Sequence, residues 1–88
     1  MEVKFQIEYQ EAVVKQHIPR LSSKDKLLIK QSIENKLKFD PVSFGKPLRY
    51  SMKGHRRLRV GDYRVVYKII IKTHTVVIIA IKHRSEIY

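Results

Sequence analysis

Four arginines and a histidine crowd into eleven residues, Gly54-His55-Arg56-Arg57-Leu58-Arg59-Val60-Gly61-Asp62-Tyr63-Arg64, and a second basic and aromatic group, Lys82-His83-Arg84-Ser85-Glu86-Ile87-Tyr88, ends the chain. A guanidinium is planar, permanently charged and able to grip two oxygens of one phosphate, so such a cluster is suited to phosphate. The charge is also segregated. Residues 1–45 hold eight Lys/Arg against six Asp/Glu, a net of +2, whereas residues 46–88 hold eleven against two, a net of +9, within +11 for the whole chain. A solvated charge face mixes both signs. A half in which acids almost vanish where the arginines gather points to nucleic acid or an acidic protein partner.

The elements that carry these residues must fit in 88 residues, read as one domain, 1–88. A domain of this size buries only about 60% of the surface its unfolded chain exposes, so stability is modest. An apolar content of 43% makes the chain globular. Cysteine is absent, which excludes disulfides and thiolate metal sites. No run approaches the ~20 apolar residues of a membrane helix, and Met1-Glu2-Val3-Lys4-Phe5 lacks the apolar stretch of a signal peptide. The expectation is a cytoplasmic protein without a membrane partner.

Val3 to Tyr9 alternates apolar and polar residues, the pattern of a strand with one buried face. Gln10 to Ile18 reads as a short helix stopped by Pro19. Ser22-Ser23-Lys24-Asp25 then offers an N-cap and an acidic first turn. A second helix runs to about Phe39, with Ile29, Ile33 and Leu37 as its core stripe, and Asp40-Pro41 ends it. Residues 41–54 contain Pro41, Gly45, Pro47 and Gly54 and read as a loop, with Leu48 tucked into the core. His55–Val60 and Tyr63–Ile71 alternate again around Gly61-Asp62, a two-residue hairpin connection. After a turn at 72–75, Val76 to Ile81 is apolar throughout, as in a central strand covered on both faces. The expected fold is α+β in the order β-α-α-β-β-β, two N-terminal helices packed on one face of a small twisted, mainly antiparallel sheet.

Strand periodicity sorts the cations. With Leu58 and Val60 in the core, His55, Arg57 and Arg59 face the other way. With Tyr63, Val65, Tyr67 and Ile69 as the core row, Arg64 shares the face of Arg57 and Arg59. Lys82 and Arg84 have one parity and His83 the other, and Lys82 or Arg84 is expected on the same face. Like charges so placed repel, and a polyanion would complete the site.

The stretch Arg57-Leu58-Arg59-Val60-Gly61-Asp62-Tyr63-Arg64-Val65-Val66-Tyr67, together with Leu48, Gly54 and the ending His83-Arg84-Ser85-Glu86-Ile87-Tyr88, resembles the RelE/ParE toxin superfamily. The resemblance implies the toxin of a toxin–antitoxin pair. Its RelE-type members are endoribonucleases that need no metal or other cofactor and cut mRNA in the ribosomal A site. The ribose 2′-hydroxyl attacks the adjacent phosphate, leaving a cyclic phosphate and a free 5′-hydroxyl. That chemistry needs a base, cations at the phosphate and an acid for the leaving oxygen. By position, the resemblance gives Arg64 the role of phosphate-stabilising arginine and Tyr88 that of the C-terminal tyrosine that stacks on a base or assists proton transfer. Lys82 and Arg84 both fall near a further functional arginine of RelE, and the sequence leaves the choice between them open. Lys53, Arg56, Arg59 and Lys82 are expected as RNA-binding cations around the catalytic group. The implied partners are an acidic or amphipathic RelB-like antitoxin, the ribosome and mRNA.

The chain departs from RelE, which resembles it but has lysines where His55 and Arg57 stand. Arg57 keeps the charge but stays protonated, so His55 and His83 become the proton-transfer candidates. Asp62 and Glu86 read as structural partners of neighbouring arginines, and His17 and His74 are assigned no role. Two alternatives stand beside the nuclease. One is a ParE-type poison of DNA gyrase; the other is a basic protein that inhibits translation by binding ribosomal RNA without cutting.

Overall fold

Alternation in the first residues is realised in β1, Gln6–Tyr9, in a computed structural model that describes residues 4–48 and 54–86. The next stretch is a π-helical turn, Val13–His17, followed by a 3-10 turn, Ile18–Arg20. Pro19 therefore does not stop the helical stretch but lies at the start of the 3-10 turn that follows the π-helical one, a first-turn position that proline tolerates. Helix α1, Ser23–Ser32, is capped as expected: the Ser22 hydroxyl accepts from the Asp25 N–H at 3.1 Å. It continues as a π-helical turn, Ile33–Leu37, and Ile29, Ile33 and Leu37 all point into the core.

The segment expected as loop is more ordered than that. Asp40 caps a four-residue helix α2, Pro41–Phe44, its carboxylate accepting from the Ser43 N–H at 3.1 Å, with Pro41 at the first helical position. Asp followed by Pro is both a helix stop and a helix start, and only the first was read in the sequence. Lys46–Pro47 then forms a short strand β2. Leu48 is half-buried and lies outside the core cluster, not in it.

The remaining strands are β3, Arg56–Val60, β4, Tyr63–Ile70, and β5, Thr75–His83. The sheet order is β1-β5-β4-β3-β2, antiparallel throughout except for β1, which runs parallel to β5. Apolar β5 is thus an interior strand, as its composition required. The core lies on the helix side, where Leu58, Val60, Val65, Tyr67, Val76, Ile78 and Ile81 meet Val13, Leu21 and the α1 stripe.

Two features give this fold its shape near the basic residues. The Tyr67 hydroxyl donates to the Pro41 carbonyl at 2.6 Å, and Gly45 packs so closely on the same ring that a Cβ there would lie 1.6 Å from the hydroxyl oxygen. In β5 one residue is extra: Tyr67 opposes Ile78 while Val66 opposes Ala80, so Ile79 forms a bulge.

Candidate nucleic-acid interface

Gly61 and Asp62 join β3 to β4, and Gly61 adopts a φ of 58°, which an unbranched backbone accepts without strain. This tight turn fixes the register. Arg59 stands directly opposite Arg64, and Arg57 opposite Val66. On the next strand Lys82 stands opposite Arg64. Directly opposed residues leave a sheet on the same face with Cβ atoms about 4.5–5.5 Å apart. Arg59, Arg64 and Lys82 therefore form a row of cations across three strands, on the face away from the helices. Arg57 joins it one diagonal step away.

The bulge at Ile79 decides where Lys82 points. Val76 and Ile78 belong to the helix side, so unbroken alternation would put Lys82 there as well. The inserted residue inverts the parity, leaving Ile81 opposite Val65 in the core and Lys82 opposite Arg64 outside it. The freed geometry is held by His17. Pairing with β1 ends at Tyr9 and Ile78, and the Ile81 N–H donates instead to His17 Nδ1 at 3.1 Å. Burial pushes the His17 pKa down, and the charges of Lys82 and Arg20 push it further, against a smaller pull from Glu86. His17, given no role from the sequence, is thus a neutral acceptor bracing the bulge. Its only signal was a histidine in a helical stretch.

Arg84 lies just past β5. Its N–H donates to the Asp62 carbonyl at 2.7 Å and its guanidinium is 3.8 Å from the Asp62 carboxylate. Glu86 is 3.7 Å from Lys82. The acids of the basic half thus act as partners of its cations, one of them a lysine. A groove of about 440 Å³ runs here between Arg59, Arg64 and Arg84, with Asp62, Tyr63 and Ser85 along it.

The histidines are not brought to the row. His83 opposes Tyr63 on the helix side, with the rings edge to face at 5.2 Å. Its Nδ1 accepts from the Ser85 N–H at 3.2 Å and lies 2.8 Å from the Ser85 hydroxyl. Tyr63 itself has its pKa raised, first by burial and then by the neighbouring Asp25 carboxylate. His55 shares the parity of Arg57 and Arg59. At roughly 3.3 Å per residue it stands some 13 Å along the strand from Arg59. Its Nδ1 is buried without a hydrogen-bond partner among the described residues.

Arg56 departs from its expected place among the RNA-binding cations. It opposes Tyr67 on the helix side, and its Nη2 donates to the carbonyls of Val42 at 2.6 Å and Gly45 at 2.7 Å. Those bonds hold the guanidinium on α2 and away from the row. Lys53 and Tyr88 lie outside the described residues. Val66 and Val77 are buried on the basic face, so the cations surround an apolar strip. Among the described residues no three His, Asp or Glu side chains gather as a metal set, and no helix is long and apolar enough to cross a membrane.

This arrangement has close relatives. Residues 8–88 match the family described as the ParE toxin of the type II toxin–antitoxin system, parDE. Over 49 residues the chain is 43% identical to Toxin RelG of Mycobacterium tuberculosis, a stretch covering 56% of each chain. It is 49% identical over 49 residues to Toxin RelE of the same organism, covering 56% of this chain and 50% of that one. The chain thus spans about half the length of the curated relatives it matches. Its backbone superposes on the crystal structure of the toxin–antitoxin complex RelBE2 from Mycobacterium tuberculosis with a TM-score of 0.87 and 26% identity, over 96% of this chain and 95% of that one. The family match over nearly the whole chain and the shared backbone agree, and the chain is a member of the ParE toxin family of type II toxin–antitoxin systems, within the RelE/ParE superfamily.

Proposed function

We propose that the protein is the toxin of a toxin–antitoxin pair and a ribosome-dependent endoribonuclease that acts on mRNA in the cytoplasm. The observation that carries this reading is the row Arg59–Arg64–Lys82 across three adjacent strands, with Arg57 beside it. Arg57, Arg59 and Arg64 have no carboxylate partner among the described residues. A phosphodiester in the row meets guanidinium groups that stay charged through the reaction. They favour the state in which negative charge builds on the phosphate oxygens. The 2′-hydroxyl gives up its proton as its oxygen forms the new bond to phosphorus, the bond to the 5′-oxygen breaks, and that oxygen takes up a proton. Arg64 grips the phosphate and Arg57 and Arg84 flank it; of the proton carriers named from the sequence, Tyr88, His83 and His55, the two histidines stand away from the row. The RelB-like partner is an acidic or amphipathic segment that neutralises the basic half.

Purified protein added to programmed ribosomes tests this. A-site cuts that vanish with Arg64→Ala are expected, and intact mRNA with the wild-type protein overturns the nuclease. The family matched, that of the parDE toxins, favours a second reading as a DNA gyrase poison. Inhibited supercoiling together with intact mRNA would establish it. A salt-sensitive ribosome complex with neither effect would leave a basic inhibitor that binds without cutting.

A further inference from the structure

Adjoining the cation row, and sharing Arg57, Arg59 and Arg64 with it, lies a second depression that reaches past the row toward Lys36 and Lys46. β2 pairs only with Arg56 and Arg57, so beyond Arg57 the strand β3 runs as an open edge. There a pocket of about 310 Å³ is ringed by Lys36, Lys46, Arg57, Arg59 and Arg64, with Phe44 on its wall and no carboxylate in its lining. None of these five cations has an acidic partner among the described residues. Five charges of one sign around so small a space repel, and an anion relieves them.

Phe44 makes the pocket more than a charge patch. The residue is 49% exposed, with the Lys36 ammonium 5.9 Å from the ring centroid. A large aromatic side chain left half in water is ordinary when its segment is loose. Here the segment is tied at every step. Asp40 caps it, Tyr67 donates to Pro41, and Arg56 bonds the carbonyls of Val42 and Gly45. The exposed ring is thus presented on a rigid turn within a cationic rim, the combination that stacks a base while holding its phosphate.

We propose that Lys36, Phe44 and Lys46 form a nucleotide subsite for single-stranded RNA, adjoining the Arg59–Arg64 row and holding the residue next to the scissile phosphate. An acidic peptide would satisfy the lysines but has no use for a rigid exposed ring. The subsite rests on the RNA reading above and names the part of the substrate held beyond the reacting bond. Arg56 is its positioning residue, acting through α2.

A 2′-O-methyl RNA hexanucleotide, which no 2′-hydroxyl attack can cut, separates this proposal from the nuclease. Its binding is followed by fluorescence anisotropy over a range of salt. Phe44→Ala should weaken binding about tenfold with the salt slope unchanged, a loss within the range of one base–aromatic stack. Lys36→Ala and Lys46→Ala should each lower the slope of log K against log salt by about 0.7. An abasic position in the hexanucleotide should weaken wild type and leave Phe44→Ala unaffected. Phe44 and Lys46 are exposed and Lys36 is half-buried, and circular dichroism checks that all three variants fold. Equal binding by wild type and Phe44→Ala, or equal abasic penalties, overturns the subsite even if ribosomal cleavage is found. Phe44-dependent binding without ribosomal cleavage keeps the subsite and removes the nuclease. Lysine variants that bind RNA normally but lose an acidic antitoxin peptide overturn the proposal in favour of a protein contact.

Discussion

Arg59 and Arg64 face each other directly across the β3–β4 hairpin, two like charges in a position where sheets ordinarily place opposite charges or apolar pairs. Lys82 stands on the other side of Arg64 in the same row. A fold of this size has little stability to spare for such repulsion, and the arrangement is intelligible as a site completed by an anion.

Relieving the repulsion should stabilise the fold while harming binding. Arg59→Gln removes one charge from an exposed position, with an expected gain of about 0.2–1 kcal/mol. Thermal melts at low salt should show the gain, and added salt should shrink it by screening the wild-type repulsion. The same variant should bind RNA more weakly. Equal melting temperatures at low salt would show that the pair costs nothing.

Gly45 should tolerate no side chain. A Cβ there falls 1.6 Å from the Tyr67 hydroxyl oxygen and 2.6 Å from the ring carbon that bears it, while Tyr67 is fully buried. Gly45→Ala must displace the ring and break its bond to the Pro41 carbonyl. The expected loss is about 1–3 kcal/mol or more, read by urea denaturation. Tyr67→Phe should cost about 1–3 kcal/mol by stranding the Pro41 acceptor.

Arg56 should behave as a structural residue. One guanidinium nitrogen serves the carbonyls of both Val42 and Gly45, each a charge-assisted bond of about 1.5–3 kcal/mol. Arg56→Ala should loosen α2, visible as faster amide exchange at residues 42–45. Arg56→Lys should restore only part of the protection, because the lysine ammonium ends one bond short of the Nη2 position and is more strongly hydrated. Unchanged exchange in Arg56→Ala would refute this role.

Acid should weaken the fold through His17. Its folded pKa lies below the ordinary value of 6.5, from burial first and then the charges of Lys82 and Arg20. The unfolded chain therefore takes up a proton at His17 before the folded one does. The stabilisation is complete above pH 6.5 and is lost as pH falls through the folded value. His17→Gln offers an amide oxygen to the Ile81 N–H without titrating, so its stability should vary less as pH falls below 6.5. A wild-type curve matching that of His17→Gln would contradict this account.

Local chemistry was enough for much of this. The Ser22 cap, the Ile29–Ile33–Leu37 stripe and the Gly61-Asp62 turn depend on residues a few positions apart, and periodicity reports them. Strand alternation within β3 and β4 likewise put Arg57, Arg59 and Arg64 on one face. The α2 helix was missed because Asp40-Pro41 carries two meanings. Arg56 was misplaced because its carbonyl partners lie 14 and 11 residues away.

What the sequence by itself determined is the parity of each unbroken strand and the charge it carries. Whether Lys82 faces the row at all was not among those things. It depends on one unpaired residue, Ile79, which inverts the alternation of β5 and turns Lys82 toward Arg64 and His83 toward Tyr63. A bulge leaves no mark in a run of apolar residues. It exists because β4 and β5 must keep Val65 against Ile81 and Tyr67 against Ile78 in one core, and only the assembled sheet can impose that.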